Sequence, residues 1–459
     1  MKAVIAIDSL KGSLSSMEAG EAIRKGILRA KPDAEVVIKP LADGGEGTTD
    51  ALIEGMSGER VSLCVTGPFG NPVNCHYGYL RREQTAVMEM ASAAGITLEP
   101  LRDPMKATTR GVGEMILHAI EHGCRNFIIG IGGSATNDGG IGMLKALGYE
   151  FLDQNGQDVG EGGQALAKIV SFSEENADPR LKECRFRVAC DVTNPLCGPM
   201  GATYIYGPQK GVTEDMLEPL DRGMANYARA VTSARPINFP EKGCAGKIWA
   251  STSLTECGTN ETRVSASLSE CGADETHVSA SLSESGTDET RVSASLAECG
   301  ADKTRSFTAL PKGSIFSENR ELSNLAETPG AGAAGGLGFA FLRFLNAELT
   351  PGVDLILNTV GLEKELMDAD VLITGEGRLD HQTAMGKAPI GAARLGKKYG
   401  VRVIAFAGSV APGAEACNEA GIDAFFPILR DVCTLEEAMN PHNAKENMVR
   451  AVEQVFRLL

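Results

Sequence analysis

An α/β fold with mostly parallel sheets is what this 459-residue sequence predicts, on three observations. Apolar runs of strand length, such as Ala3–Ile7 and Asn126–Ile131, alternate with stretches of helical length. Most of these runs end in Gly- and Asp-rich clusters rather than hairpin turns. The rhythm resumes in the C-terminal third, where Val371–Thr374, Val401–Phe406 and Asp423–Ile428 are separated by helical segments. Repeated βα units imply a sheet with helices on both faces.

The first run leads into Asp8-Ser-Leu-Lys-Gly12, after which Ser15-Ser-Met-Glu18 forms a capping-box pattern opening a helix to about Arg29. Glu35–Pro40 is a second strand, ending in Asp43-Gly-Gly-Glu-Gly47 and a short helix. Val61–Val65, Cys75–Leu80 and Ala86–Met90, split by Gly67-Pro68 and Asn71-Pro72, predict antiparallel strands. Val112–His122 is a predicted helix, and Asn126–Ile131 a buried strand running into Gly132–Gly140. A helix over Ile141–Leu147, a strand over Tyr149–Asp153, a strand over Phe186–Cys190 ending at Asp191 and a helix over Glu214–Val231 follow. In such sheets ligands sit beyond the carboxyl ends of the strands, where nearly all the Gly/Asp clusters lie.

Composition narrows the function classes. Hydrophobic residues at 43% and charged residues at 23% describe an ordinary globular protein. A net charge of −16 argues against nucleic acid and anionic membrane surfaces as partners. An anionic substrate must then be met by a few locally placed cations. No targeting segment or span of bilayer length is visible, so a cytoplasmic protein is expected. The 12 cysteines include no Cys-x-x-Cys pair and read as reduced thiols, neither a disulfide framework nor a zinc site. The sequence sets no oligomeric state.

Residues 250–305 are four 14-residue units, the second and third reading VSASLSECGADETH and VSASLSESGTDETR. They are Ser-rich and carry little apolar surface to offset chain ordering, so a low-complexity, unordered insert is expected, with a small β stack as the alternative.

The strongest local signal is Ile131-Gly-Gly-Ser-Ala-Thr-Asn-Asp-Gly-Gly140. Its backbone N–H groups, unobstructed by side chains, predict a nest for phosphate oxygens at a helix N-terminus. Gly130-Ile-Gly-Gly-Ser-Ala135 also fits the dinucleotide pattern, with Asp153 at about the distance of a ribose contact, so an oxidoreductase of a small hydroxy acid stands beside the phosphate reading. Thr374–Lys387 is a second cluster; its Gly377 and Gly386 are too far apart for a Walker A loop, yet Arg378, Thr383 and Lys387 supply cations and donors for an anion. His118 and His122 have helical spacing but not the zincin order, and read as a helix face. Pro329–Gly338 fits a ligand loop and close helix packing equally well.

Taken together, Ala6–Gly12, Pro40–Thr48, Gly132–Gly142, Ala189–Pro195, Gly330–Gly336 and Thr374–Lys387 resemble the bacterial glycerate kinase family over about 1–240 and 310–459. The resemblance implies transfer of the ATP γ-phosphate to D-glycerate with Mg2+, 2-phosphoglycerate being the favoured product. It also implies two α/β domains, 1–65 with 310–459 and 66–240, and an active-site cleft between them. Phosphoryl transfer needs carboxylates for the metal and the proton, and cations around the transferring group. On that reading Gly132, Gly133, Ser134, Asn137 and Lys387 hold the nucleotide phosphates. Asp191 is base or metal ligand, with Asp138 as a second ligand, and Lys11 offsets developing charge. Arg378, Asp8 and Asp43 bind the substrate.

Overall fold

The computed structural model describes residues 1–42, 44–45, 47–233 and 325–459, and between them only the backbone of strands within 235–311. Two sheets organise the chain. The first is five-stranded and wholly parallel, in the order Glu35–Pro40, Lys2–Ile7, Val371–Leu379, Arg402–Val410, Ala424–Pro427. Period-2 alternation sends Ala3, Ile5 and Ile7 to one face and Val4 and Ala6 to the other. The first set packs under helices Ser16–Ala30 and Pro441–Phe456, against Ile23, Ile27, Met448 and Phe456. The capping box expected at Ser15 and Glu18 is formed.

The second sheet has six strands, ordered Glu348–Thr350, Arg185–Ala189, Asn126–Gly130, Thr85–Glu89, Pro72–Leu80, Glu59–Thr66. The first four are parallel and the last two antiparallel, as the proline-split runs predicted. Phe127, Ile129, Phe186 and Val188 face helices Arg110–Glu121, Ala333–Leu345 and Glu214–Ser233. On the other face Val87, Ile128 and Ala189 share one apolar layer with Val4, Leu372 and Val403 of the first sheet, through helices Gly352–Thr359 and Ala388–Lys398. Strands Glu59–Thr66 and Glu348–Thr350 therefore belong to the second sheet, although the expected division put both with the first domain.

In the repeats, Glu261–Leu268, Thr276–Glu284 and Glu289–Glu298 pair antiparallel, with Ser265 opposite Ser279 and Ala280 opposite Ala294. The expected unordered insert thus meets strands along much of its backbone, which the Val-Ser-Ala-Ser-Leu alternation permits. The turns between these strands, and the side chains of the stretch, lie outside the described residues. No described helix is long and apolar enough to cross a membrane.

Candidate active site

Leu41 and Gly44 link strand ends of the two sheets. Leu41 N–H donates to Ile7 O as the chain leaves the first sheet. Three residues on, Gly44 sits over the second sheet; a Cβ there would lie 2.8 Å from Gly352 Cα and 3.1 Å from Ala189 Cβ. Asp43 and Glu46 of this loop lie outside the described residues.

On the second sheet Gly130 and Ala189 are register partners. The 132–140 turn and Asp191 therefore leave adjacent strands on the same edge. Asp191 Oδ1 accepts from Gly352 N–H at 2.8 Å, which orients its carboxylate. The turn is anchored by Ile96 N–H to Gly133 O at 2.8 Å and Ala135 N–H to Ala94 O at 2.9 Å. Gly132 and Gly133 are exposed, and nothing lies within 4 Å of a Cβ built on Gly132. Ser134, behind them, is buried.

Two residues assigned to ligands are turned inward instead. Asp138 is fully buried, and its carboxylate accepts from Thr109 N–H and Oγ1, Gly140 N–H and Gly142 N–H. Burial pushes this carboxyl up and the four donors oppose it. Asp138 holds the start of helix Ile141–Ala146 and presents nothing to a metal. Asn137 is equally buried and donates to Thr203 Oγ1 at 3.0 Å, so it is not a phosphate contact either. The expected nest at the helix N-terminus is corrected with them: Asp138 takes those amides, and the open part of the turn is Gly132–Gly133.

The Gly330–Gly336 segment is a packing device. A Cβ on Gly335 would sit 2.1 Å from Thr136 O, and one on Gly330 2.9 Å from Cys190 Sγ. Gly139 N–H donates to Gly335 O, and Gly332 N–H to Asn194 O. The segment wedges the 132–140 turn against the loop that carries Asp191.

The first sheet contributes the cations. Asp8, buried at the strand end, takes Ser9 N–H on Oδ1 while its own N–H donates to Gly375 O. Lys11 is exposed, with its backbone N 3.5 Å from where a Gly377 Cβ would lie. Lys387 Nζ is 4.0 Å from Glu376 Oε2, and Glu376 Oε1 accepts from Thr383 Oγ1 at 2.5 Å. Arg378, whose side chain is 66% exposed, has its Nε 3.8 Å from Asp380 Oδ2. Asp8, Lys11, Arg378 and Lys387 thus lie at or beyond strand ends of the first sheet, and Gly132, Gly133, Ser134 and Asp191 follow strand ends of the second.

The Glycerate kinase family model matches residues 3–282 and 308–459. The chain belongs to the glycerate kinase family. It is 38% identical to the "Glycerate kinase" of Bacillus subtilis (strain 168) over 457 residues, 99% of this chain and 97% of that protein. It is also 38% identical to the "Glycerate 2-kinase" of Escherichia coli (strain K12), covering 100% of this chain and 98% of the relative. A crystal structure from Salmonella typhimurium LT2, reported as a candidate glycerate kinase 2, superposes with a TM-score of 0.74 at 36% identity, over 100% of this chain and 98% of that one.

This glycerate kinase is therefore an enzyme, and the likeness extends further than the motifs indicated. The family match runs through the first two repeat units and resumes at 308. The oxidoreductase alternative finds no support. A dinucleotide turn needs its helix to begin inside the fingerprint, whereas here the helix begins at Ile141. Asp153 is in an exposed turn, accepting from Asn155 and Gln157 N–H, beside the separate antiparallel pair Glu150–Leu152 and Ser171–Ser173.

Two residues near the strand ends of the glycerate kinase escaped the sequence reading. Glu89 ends the strand beside Gly130 and accepts from Thr49 N–H at 2.9 Å; burial pushes its carboxyl up, against the Thr49 and Gly47 amides. Its position at a strand end was the available signal. Lys210 lies directly behind Ser134, its Nζ donating to Ser134 Oγ and Thr136 O, both at 2.7 Å. Nothing local marks it.

Proposed function

We propose that this glycerate kinase transfers the ATP γ-phosphate to the 2-hydroxyl of D-glycerate, releasing ADP and 2-phosphoglycerate. The observation that carries the reading is the Gly130–Ala189 register, by which an open glycine lip and an oriented carboxylate share one edge. The name of the Escherichia coli relative supports the 2-position.

In the proposed mechanism the nucleotide phosphates rest on Gly132, Gly133 and Ser134, with Lys387 from a loop of the first sheet. Arg378 receives the glycerate carboxylate, where a guanidinium can bond both oxygens at once. Asp8 and Asp43 contact the glycerate hydroxyls. The substrate oxygen forms a bond to the γ-phosphorus as the bridge to the β-phosphate breaks, and Lys11 offsets the charge that develops.

Magnesium takes one or two carboxylates and fills its remaining positions with phosphate oxygens and water, a demand Asp191 fits and sealed Asp138 does not. Mg2+ bound there supplies neutralisation of the phosphate charge. Asp191 serves by holding that cation or by taking the hydroxyl proton, and both need its negative charge. We place the activity in the cytoplasm, where ATP is supplied and thiols such as the 12 cysteines stay reduced. The core carrying it is the pair of sheets, with the 250–305 repeats outside the chemistry.

Incubating the enzyme with ATP, Mg2+ and D-glycerate, and following ADP release and the phosphorus NMR of the product, tests the reading. ADP release with a 2-phosphate signal is expected. A 3-phosphate signal overturns the regiochemistry, and no ADP release overturns the function.

A further inference from the structure

We propose that Lys210 is a positioning residue for phosphate binding, setting the Ser134 hydroxyl so that it donates to a phosphate oxygen of ATP seated on Gly132 and Gly133. The proposal rests on the reading of that turn as the phosphate seat.

Lys210 closes a short turn, Pro208–Lys210, and is 2% exposed. In its protonated form the lysine has donors and no acceptor, so in the 2.7 Å contact Ser134 Oγ is then the acceptor. A serine hydroxyl has one proton to give. With the oxygen bonded to Lys210, that proton is left to point away from the lysine, and the two residues before Ser134, Gly132 and Gly133, are exposed with open space before Gly132.

The charge matters as well as the geometry. Burial pushes Lys210 down to about 7, opposed only by the field of Asp138. Asp138 spends its oxygens on Thr109, Gly140 and Gly142 and makes no ion pair with Lys210 among the described contacts. A neutral amide would satisfy Ser134 Oγ and Thr136 O at a smaller desolvation cost. In its protonated form, below about pH 7, Lys210 polarises Ser134 and lends positive potential to a seat for a polyanion, in a chain whose net charge is −16.

The test measures kcat and both KM values for Ser134→Ala, Lys210→Met and the double variant, with thermal unfolding to confirm the fold. Each single variant is expected to raise KM for ATP about tenfold with KM for D-glycerate nearly unchanged, and the double variant to be no worse than the worse single one. An unchanged KM for ATP in Lys210→Met, equal losses for both substrates, or fully additive effects overturn the proposal. Ser134→Ala leaves Lys210 its bond to Thr136 O, so an unchanged KM for ATP there overturns it even if Lys210→Met does not fold. Gly132→Val points into open space and tests the seat separately. If it leaves KM for ATP untouched, the seat reading fails; if it alone raises KM, only the role of Lys210 fails.

Discussion

Two glycine-rich segments, 132–140 and 330–336, carry four glycines each and have opposite uses. Gly132 and Gly133 face outward with open space before Gly132, whereas Gly335 and Gly336 are buried against the backbone of Thr136 and Gly139. Glycine admits close approach without specifying what approaches. In the first segment the approaching group is the proposed ligand; in the second it is the first segment itself. The packed loop serves the open one, because it joins the turn to the strand end that carries Asp191.

Substitution at the packed loop should break the molecule where substitution at the open one does not. Gly335→Ala places a methyl 2.1 Å from Thr136 O at φ +69°. A loss on the order of 3 kcal/mol is expected, read as a lowered midpoint in thermal or urea unfolding. A midpoint shift of no more than about 1 °C would show the loop to be slack and end the contrast.

The next effect is chemical. Asp191→Asn keeps an oxygen to accept Gly352 N–H, so the fold should survive while kcat falls about 100-fold. Full turnover in the Asp191→Asn enzyme would detach the strand end from the chemistry and leave the packed loop holding only structure.

A smaller effect separates the two segments by pH. The Lys210 amine, normally near 10.5, is held at about 7 in the folded state. Below pH 7 both states are protonated and the buried charge counts fully against folding. Between about 7 and 10.5 the unfolded chain binds a proton that the folded one lacks, so stability rises with pH by at most about 1.4 kcal/mol per unit. Wild-type stability minus that of Lys210→Met, measured across this range, should carry that slope. A flat difference would mean that the folded lysine keeps its proton across the range, as the unfolded one does.

The smallest effect is the one expected at Asp153. Asp153→Asn removes the acid that the dinucleotide pattern pointed to, and kcat/KM should stay within about twofold, since the residue sits in an exposed turn. A selective loss of nucleotide affinity would reopen that reading of the 132–140 turn.

What could be read from the residues is what nearby residues decide. The Ser15–Glu18 capping box spans four positions, the period-2 strands carry their own burial pattern, and Asp191 follows a strand directly. The motif order likewise pointed to the family before any contact was known. What could not be read depends on partners far along the chain. Asp138 looks like a ligand in a glycine turn until Thr109, 29 residues earlier, closes over it. Lys210 looks like any lysine in a Pro-Gln-Lys-Gly turn until the chain brings it under Ser134, 76 residues away. Whether Gly330–Gly336 touches ligand or protein depends on which loop folds against it. Alternation, capping and motif spacing are local and survive in the linear chain. Burial and access are properties of the packed molecule, and they decided which glycines and carboxylates of this glycerate kinase face outward.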